Sequence, residues 1–383
     1  MKAVRVERIK TSAKKPRVVV AMSGGVDSSV AAALLKEAGF EVIGVFMKFW
    51  TPRQTRGKQN RIENKCCSVE AQADARQVAA KLKIPFYTVN AEKEFKKRVV
   101  DYFIKEYAAG RTPNPCVECN HYIKFGLLLD KAKAFDADFL ATGHYCRIKW
   151  KSQITNHKSQ IVYKLLMAKD KNKDQSYFLY TLTQAKLKKI IFPIGDYAKS
   201  KVRKMAKKFG LPVFEKRDSQ EVCFVNTDLY RFLRPRINAD KGPIIATSGK
   251  KVGEHKGLAY YTIGQRKGLN IGGTGPYYVV QKDFKNNALI VANSDKDKLL
   301  YQKEMIIESV NWINLEPQRR VETKQGFSCK VKIRYLAQAV PAIIKKRKNG
   351  YSVVFNQPQK ALTSGQAAVF YLKDELLGGG TIS

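Results

Sequence analysis

The chain of 383 residues carries 71 lysines and arginines against 33 aspartates and glutamates, a formal net charge of +38, with 44% hydrophobic residues. That apolar share excludes wholesale disorder and, at this length, allows two or three domains with proper cores, while the charge excess favours polyanionic partners, nucleic acid first. Residues 1–16 hold no apolar signal segment and no run of about 18 apolar residues occurs, so a cytoplasmic protein without a membrane partner is expected; seven cysteines in such a chain point to reduced thiols rather than a disulfide framework.

In chain order, residues 1–16 read as a basic, disordered extension. Val18, Val19 and Val20 suit a buried parallel strand, and Val30, Ala31, Ala33, Leu34, Leu35 and Ala38 form one face of a helix that stops at Gly39. Between them lies Ala21-Met-Ser-Gly-Gly-Val-Asp-Ser-Ser29. Gly24 and Gly25 are expected at positive φ, where backbone N–H groups close around phosphate oxygens at a helix N-terminus. Ser23, Ser28 and Ser29 add hydroxyl donors, and Asp27 reads either as an N-terminal cap or as a Mg²⁺ ligand. Neither G-x-x-x-x-G-K-[ST] nor G-x-G-x-x-G is present. The segment resembles the PP-loop of ATP pyrophosphatases, a likeness that implies ATP, cleavage between its α and β phosphates, and AMP left on a substrate oxygen.

Further on, strands are expected at 41–47, 86–89 and 138–142, with helices at 69–82, 95–107 and from about 120 to 135. This alternation predicts an α/β fold, a doubly wound parallel sheet that binds ligands at the carboxyl ends of its strands, where Gly143 and His144 also fall. His144 by itself reads as a structural histidine. The repeated Lys-Ser-Gln-Ile at 151–161 reads as an inserted hairpin tip with His157 in solvent, and Trp50, Trp150 and Trp312 as packing residues. Cys146 and Cys329 read as buried structural thiols, while Cys66 and Cys67 precede a helix with no role assigned. Basic residues crowd 186–208 and 345–348, each a phosphate-facing surface or simply a solvated face. Beyond Asn226, glycines punctuate short strands, and from about Ile306 alternating segments predict a closed β-barrel. The expected division is a catalytic domain at 17–225, a small β-rich central domain at 226–302 and a C-terminal β-barrel at 303–383.

Reactive groups concentrate in Arg111-Thr-Pro-Asn-Pro-Cys-Val-Glu-Cys-Asn120. Two prolines stiffen this loop and hold Thr112 and Asn114 extended. The pair Cys116 and Cys119 reads as half a zinc site, a redox dithiol or iron-sulfur ligands. His121 extends it to C-x-x-C-x-H, too short a stretch to enclose a metal well.

Together with the PP-loop, further segments make the chain similar to MnmA-type tRNA-specific 2-thiouridylases along nearly its whole length. They are Gly110-Arg-Thr-Pro-Asn-Pro115 with Cys119-Asn120, Ala141-Thr-Gly-His-Tyr145, Lys173-Asp-Gln-Ser-Tyr-Phe-Leu179, Asp218-Ser-Gln-Glu-Val-Cys-Phe224, Tyr261-Thr-Ile-Gly-Gln-Arg-Lys-Gly-Leu269, Lys332-Ile-Arg-Tyr335 and Leu377-Gly-Gly-Gly-Thr-Ile382. The resemblance implies that Ala21, Met22, Ser23, Gly24, Gly25, Val26, Asp27, Ser28, Met47 and Gly143 hold ATP. By the same likeness the C-terminal barrel is tRNA-binding, Asn114, Pro115 and Cys116 face the target base, and Lys173, Asp174, Gln175, Arg334 and Tyr335 touch tRNA at its anticodon stem-loop. Cys119 matches the family's nucleophile and Cys223 its persulfide carrier. The implied reaction adenylates the C2 oxygen of the wobble uridine and replaces it with sulfur from a donor protein or relay. Arg111, Lys124 or a helix N-terminus near Tyr122 would favour the thiolate. Cys116 stands where the best-known members carry Asp, which opens two routes: Cys116, Cys119 and Cys223 as ligands of a [4Fe-4S] cluster, or a Cys119–Cys223 persulfide exchange assisted by Cys116. An amide-forming PP-loop synthetase and a non-catalytic RNA-binding protein are the alternatives, separated from a thiolase by tRNA-dependent release of AMP and pyrophosphate.

Overall fold

The computed structural model describes residues 15–52, 67–155, 158–217, 222–225, 228–272, 275–314 and 326–383. The extension up to residue 14, Cys66 and His157 lie outside the described residues. The chain forms two compact units, one of Met1–Val100, Cys116–Asn226 and Asp374–Leu377, the other of Asp101–Pro115, Thr227–Lys373 and Gly378–Ser383.

In the first unit, β1 (Arg17–Ala21) is flanked by β2 (Glu41–Lys48) and by β4 (Phe139–Thr142), with β3 (Phe86–Asn90) beyond β2. An antiparallel hairpin of β5 (Cys146–Thr155) and β6 (Lys158–Met167) follows, and the short β7 (Ile190–Ile191) completes a parallel sheet of order β3-β2-β1-β4-β7. Val18, Val19 and Val20 are fully buried, each worth about 1.5–3 kcal/mol of burial. Val18 and Val20 share a core with α1 (Val26–Glu37), whose residues 30–35 are buried as an unbroken apolar run. Ser68 caps α2 (Val69–Lys81) by accepting from the Ala71 N–H at 3.2 Å.

Two longer helical segments follow, each interrupted by π-helical turns. Glu92–Phe95 continues into a π stretch at Lys96–Val100 and then Asp101–Ala108; Pro115–Glu118 continues into a π stretch at Cys119–Leu127 and then Leu128–Ala134. Such wide turns are rare and recur at functional sites. The second begins at Cys119.

In the second unit, β8 (Gly242–Ala246), β9 (Lys251–His255), β10 (Tyr278–Asp283) and β11 (Ala288–Ala292) form a sheet of order β10-β11-β8-β9. The barrel consists of β12 (Tyr301–Trp312), β13 (Phe327–Lys332), β14 (Val340–Lys346), β15 (Tyr351–Lys360), β16 (Ala367–Leu372) and β17 (Glu375–Ile382) in the order β12-β15-β14-β13-β16-β17, and pairing of β17 with β12 closes it. Closure leaves no open edge, and Val331, Ile344, Val353, Phe355 and Phe370 fill the interior. Trp312 packs on Phe370, ring centres 5.2 Å apart. Strand β17 serves both units: Glu375 and Leu376 pair with β6, Gly378 to Ile382 with β12. Cys146 and Cys329 are buried, and burial pushes the Cys329 thiol up to about 12. Trp150, by contrast, is exposed on its hairpin.

Candidate nucleotide and sulfur site

The carboxyl ends of β1, β2 and β4 are adjacent in the sheet, so its order alone gathers Ala21, Met47 and Gly143. The Met22 N–H still donates to the Val45 carbonyl at 2.8 Å, which keeps the chain extended until Ser23. Gly24 then turns with φ +68°, and a Cβ there would fall 2.1 Å from the Ala71 carbonyl oxygen. Only glycine fits. Gly25, expected to share that conformation, is extended at φ −103° and serves as the N-cap of α1 without a capping side chain.

The serines differ from expectation. The Ser28 and Ser29 hydroxyls both donate to the Gly25 carbonyl, at 3.2 and 2.8 Å, and the Ser23 N–H donates to Ser28 Oγ at 3.2 Å. These hydroxyls brace the loop itself. Val26 and Met22 are buried in the core. Gly143 presses on the start of α1, where a Cβ would lie 2.6 Å from the Ser28 nitrogen.

Asp27 does not cap the helix, because Gly25 holds that position and the carboxylate is engaged elsewhere. Lys199 Nζ lies 2.8 Å from both its oxygens, and the Tyr145 hydroxyl donates to Oδ1 at 2.8 Å. Lys199 is only 9% exposed. It opens the helix Lys199–Lys208 on the face that buries Val202, Met205 and Ala206, so its place in the apolar period marked it as inward-facing. Four residues on, Arg203 Nη1 donates to the Phe214 and Lys216 carbonyls at 3.0 Å each, and Lys216 donates to the Gly24 carbonyl at 3.0 Å while pairing with Asp74. One helix therefore grips the loop directly and through Lys216.

The turn at Lys173–Gln175 faces inward more than outward. Asp174 is 3% exposed and accepts from the Ala168 N–H and the Ser176 hydroxyl, at 2.9 and 2.8 Å. These bonds make Asp174 a brace of the turn. Gln175 brackets Tyr145 by accepting from its N–H at 3.0 Å and donating its own N–H to the Tyr145 carbonyl at 2.9 Å. Half-buried Lys173 is the outward member. His144 is buried with Nδ1 2.7 Å from the Thr142 hydroxyl, and burial holds its pKa well below the usual value, so it stays neutral as a structural residue.

Pro115 opens the helix that carries both cysteines, which puts the N-terminal turn at Cys116 rather than near Tyr122. Cys116 is exposed and Cys119 half-buried. Arg111, expected to supply positive charge, donates from Nε to Glu106 at 2.6 Å. Around the following His121 and Tyr122 the cations are Arg98, whose guanidinium lies 4.8 Å from the Tyr122 ring centre, and Lys186, which donates to the His121 carbonyl at 3.4 Å. Burial and these two charges lower the His121 pKa. Cys223 is followed by Phe224, which meets Phe95 edge-on at 5.8 Å, and the helix containing Phe95 also packs against the Cys119–Leu127 turns. Both sulfur-bearing segments lean on one helix.

Among the described residues no group of three or more His, Cys, Asp or Glu side chains is arranged to hold a metal. Cys116, Cys119 and Cys223 do not form a ready three-thiolate cradle, and the residues present do not fit the iron-sulfur alternative.

Residues 16–227 match the family model described as tRNA methyl transferase HUP domain, 230–293 the tRNA methyl transferase PRC-barrel domain, and 302–382 the aminomethyltransferase beta-barrel domain. The tRNA-specific 2-thiouridylase MnmA of Carboxydothermus hydrogenoformans is 44% identical over 374 residues, covering 96% of this chain and 98% of that protein. That of Natranaerobius thermophilus is 46% identical over 370 residues, covering 96% and 97%. The chain belongs to the MnmA family. NMN synthetase from Francisella tularensis aligns over 54% of this chain and 67% of its own at 15% identity, with a TM-score of 0.31, a likeness too slight to bear weight.

The remaining positions matched to the MnmA family lie on the barrel. Arg334 is exposed, yet one amine of its guanidinium donates to the Lys360 and Ala361 carbonyls, which fixes its direction; Tyr335 is half-buried. Of the 345–348 run, Arg347 pairs with Glu304. No described helix is long and apolar enough to cross a membrane.

Proposed function

We propose that this chain is a cytoplasmic, ATP-dependent enzyme that replaces the C2 oxygen of the wobble uridine of tRNA with sulfur. The observation that carries the reading is its 44–46% identity, over nearly its full length, to tRNA-specific 2-thiouridylases. In this reading 17–225 is the catalytic domain, 226–302 the central domain and 303–383 the tRNA-binding barrel. ATP lies on the Ser23–Ser28 loop between Met47 and Gly143, with its phosphates against the N-terminus of α1. Asp27 offers the hard oxygen that a Mg²⁺ ion requires beside phosphates, and there Mg²⁺ would offset pyrophosphate charge. Lys199 shares that carboxylate and brings a second cation to the loop.

The uridine C2 oxygen attacks the α-phosphorus and pyrophosphate leaves, which turns a poor leaving group into a good one. The outer sulfur of a Cys223 persulfide attacks C2 and AMP departs. The Cys119 thiolate then attacks the Cys223 sulfur, releasing 2-thiouridine and leaving a Cys119–Cys223 disulfide that a thiol reductant reopens. A sulfur donor protein or relay recharges Cys223. Cys116, exposed one turn before Cys119, is placed to orient or resolve this exchange, while Asn114 and Pro115 face the base, and Lys173, Arg334 and Tyr335 meet the anticodon stem-loop. Extruding a single-stranded loop base costs only a few kcal/mol, which broad phosphate contact on so basic a chain offsets.

The test is mass analysis of nucleosides from unmodified tRNA incubated with the protein, ATP, Mg²⁺ and a sulfide source. New 2-thiouridine that vanishes in Cys119→Ser is expected; none with the wild-type protein overturns the reading.

A further inference from the structure

Residues 110–113, immediately before Asn114, are pinned from two sides within the second unit. From the turn that leads into β16, the Ser364 carbonyl accepts the Thr112 N–H at 2.8 Å, and Gln366 Nε2 donates to the carbonyls of Thr112 and Pro113 at 2.9 and 3.4 Å. Both neighbours of that carboxamide are acceptors, so its nitrogen must face them. Gly365 sits flush on the same backbone, where a Cβ would come within 3.0 Å of Thr112. From the other side, Lys282 Nζ on β10 donates to the Gly110 carbonyl at 2.8 Å, the ring of Phe284 just beyond that strand covers Gly110, and the hydroxyl of Thr262, in the connection before β10, lies 3.1 Å from that of Thr112.

The backbone of Gln366 is itself fixed. Its main-chain N–H donates to the Thr363 carbonyl at 3.2 Å, and its main-chain carbonyl accepts from the Ile382 N–H at 2.8 Å. A side chain carried on so fixed a backbone, donating to two successive carbonyls, sets the direction of the peptide planes it holds. Pro113 and Pro115 restrict the backbone on either side of Asn114, so a shift at 112–113 passes on to Asn114 with little loss.

We propose that Gln366 is a positioning residue for base recognition. With Lys282 opposite, it sets the direction in which Asn114 is presented to the target uridine, so the β modules take part in reading the base through this loop. The inference rests on the assignment of Asn114 to the base in the proposed function.

The experiment compares full-length wild type with Gln366→Ala and the isosteric Gln366→Glu. It follows single-turnover thiolation at saturating tRNA, tRNA affinity, and hydrogen exchange of 110–114. Both variants should thiolate about tenfold to a hundredfold more slowly, as expected for a slightly misplaced group, with faster exchange at 110–114. Affinity for tRNA should stay within about twofold, since binding elsewhere is untouched. Should Gln366→Ala melt early, Gln366→Glu keeps the volume and decides, because it replaces the donating nitrogen with an anionic acceptor facing the same two carbonyls. Wild-type rate and exchange in Gln366→Glu, or a loss wholly explained by weaker tRNA binding, overturns the proposal alone. A wild-type protein that makes no 2-thiouridine removes the parent reading and this one together.

Discussion

The Ser23–Ser29 turn is tied to its surroundings by ammonium groups, the Gly110–Pro113 stretch to the β modules mainly by neutral groups. Lys199 on Asp27 and Lys216 on Gly24 and Asp74 are ammonium groups. In the proposed function an incoming phosphate or Mg²⁺ would compete for the same partners. At 110–113 the contacts from the β modules are a carboxamide, a carbonyl and a hydroxyl, with one amine among them, while Arg111 pairs back to Glu106 on the preceding helix. No nucleotide charge displaces those. In that reading the first loop would answer to its ligand while the second keeps its direction.

The sharpest break in that comparison is at the thiols. Cys119→Ser is expected to abolish 2-thiouridine while ATP still binds, read as loss of product by mass with unchanged nucleotide affinity. Gly143→Ala comes next: a methyl pressed to 2.6 Å of the Ser28 nitrogen must displace the start of α1, and ATP affinity, read by titration calorimetry, should fall about tenfold or more. Lys199→Met leaves Asp27 short of its cation in a partly buried place. Because Asp27 is 31% exposed and partly screened, urea unfolding should show about 1–3 kcal/mol of destabilisation, with part recovered in Lys199→Met/Asp27→Asn.

A smaller effect sharpens the other side. Burial lowers the Lys282 pKa from 10.5 to about 8. The unfolded chain therefore holds a proton that the folded one has released between about 8 and 10.5, so this residue's contribution to stability rises with pH across that window. Measured against Lys282→Met, which removes the effect of falling net charge, the wild-type urea midpoint should gain over that range; parallel curves contradict the assignment. Least of all should change with iron: after anaerobic purification, iron and labile sulfide should stay far below stoichiometric, and a full complement would restore the cluster route.

How much of this was legible in the residues follows the range of the interactions. The valine run, the glycine pair and the strand-helix alternation are local, and they placed the PP-loop at the end of a central parallel strand. The alternating segments after Ile306 did the same for the barrel. Strand β17 was hidden by Gly378, Gly379 and Gly380, poor strand formers that instead let the backbone lie close to β12; a Cβ at Gly378 would meet the Asn311 carbonyl at 2.2 Å. The π turns at Cys119 leave no mark in a 3.6-residue period. Lys199 was legible only by its apolar neighbours, since its charge grouped it with exposed lysines. The partners of Asp174, and Gln366, Thr262 and Lys282 on the loop at 110–113, depend on folding that no spacing encodes.

Adenylation and sulfur delivery are, on this proposal, separate steps on the same uridine, and only the second needs Cys223. The most direct test of that separation is the product formed by Cys223→Ser with ATP, Mg²⁺ and unmodified tRNA. The account predicts pyrophosphate released in proportion to a tRNA-bound AMP and no 2-thiouridine. Either 2-thiouridine at the wild-type level, or no pyrophosphate at all from a variant that still binds ATP and tRNA, would contradict it.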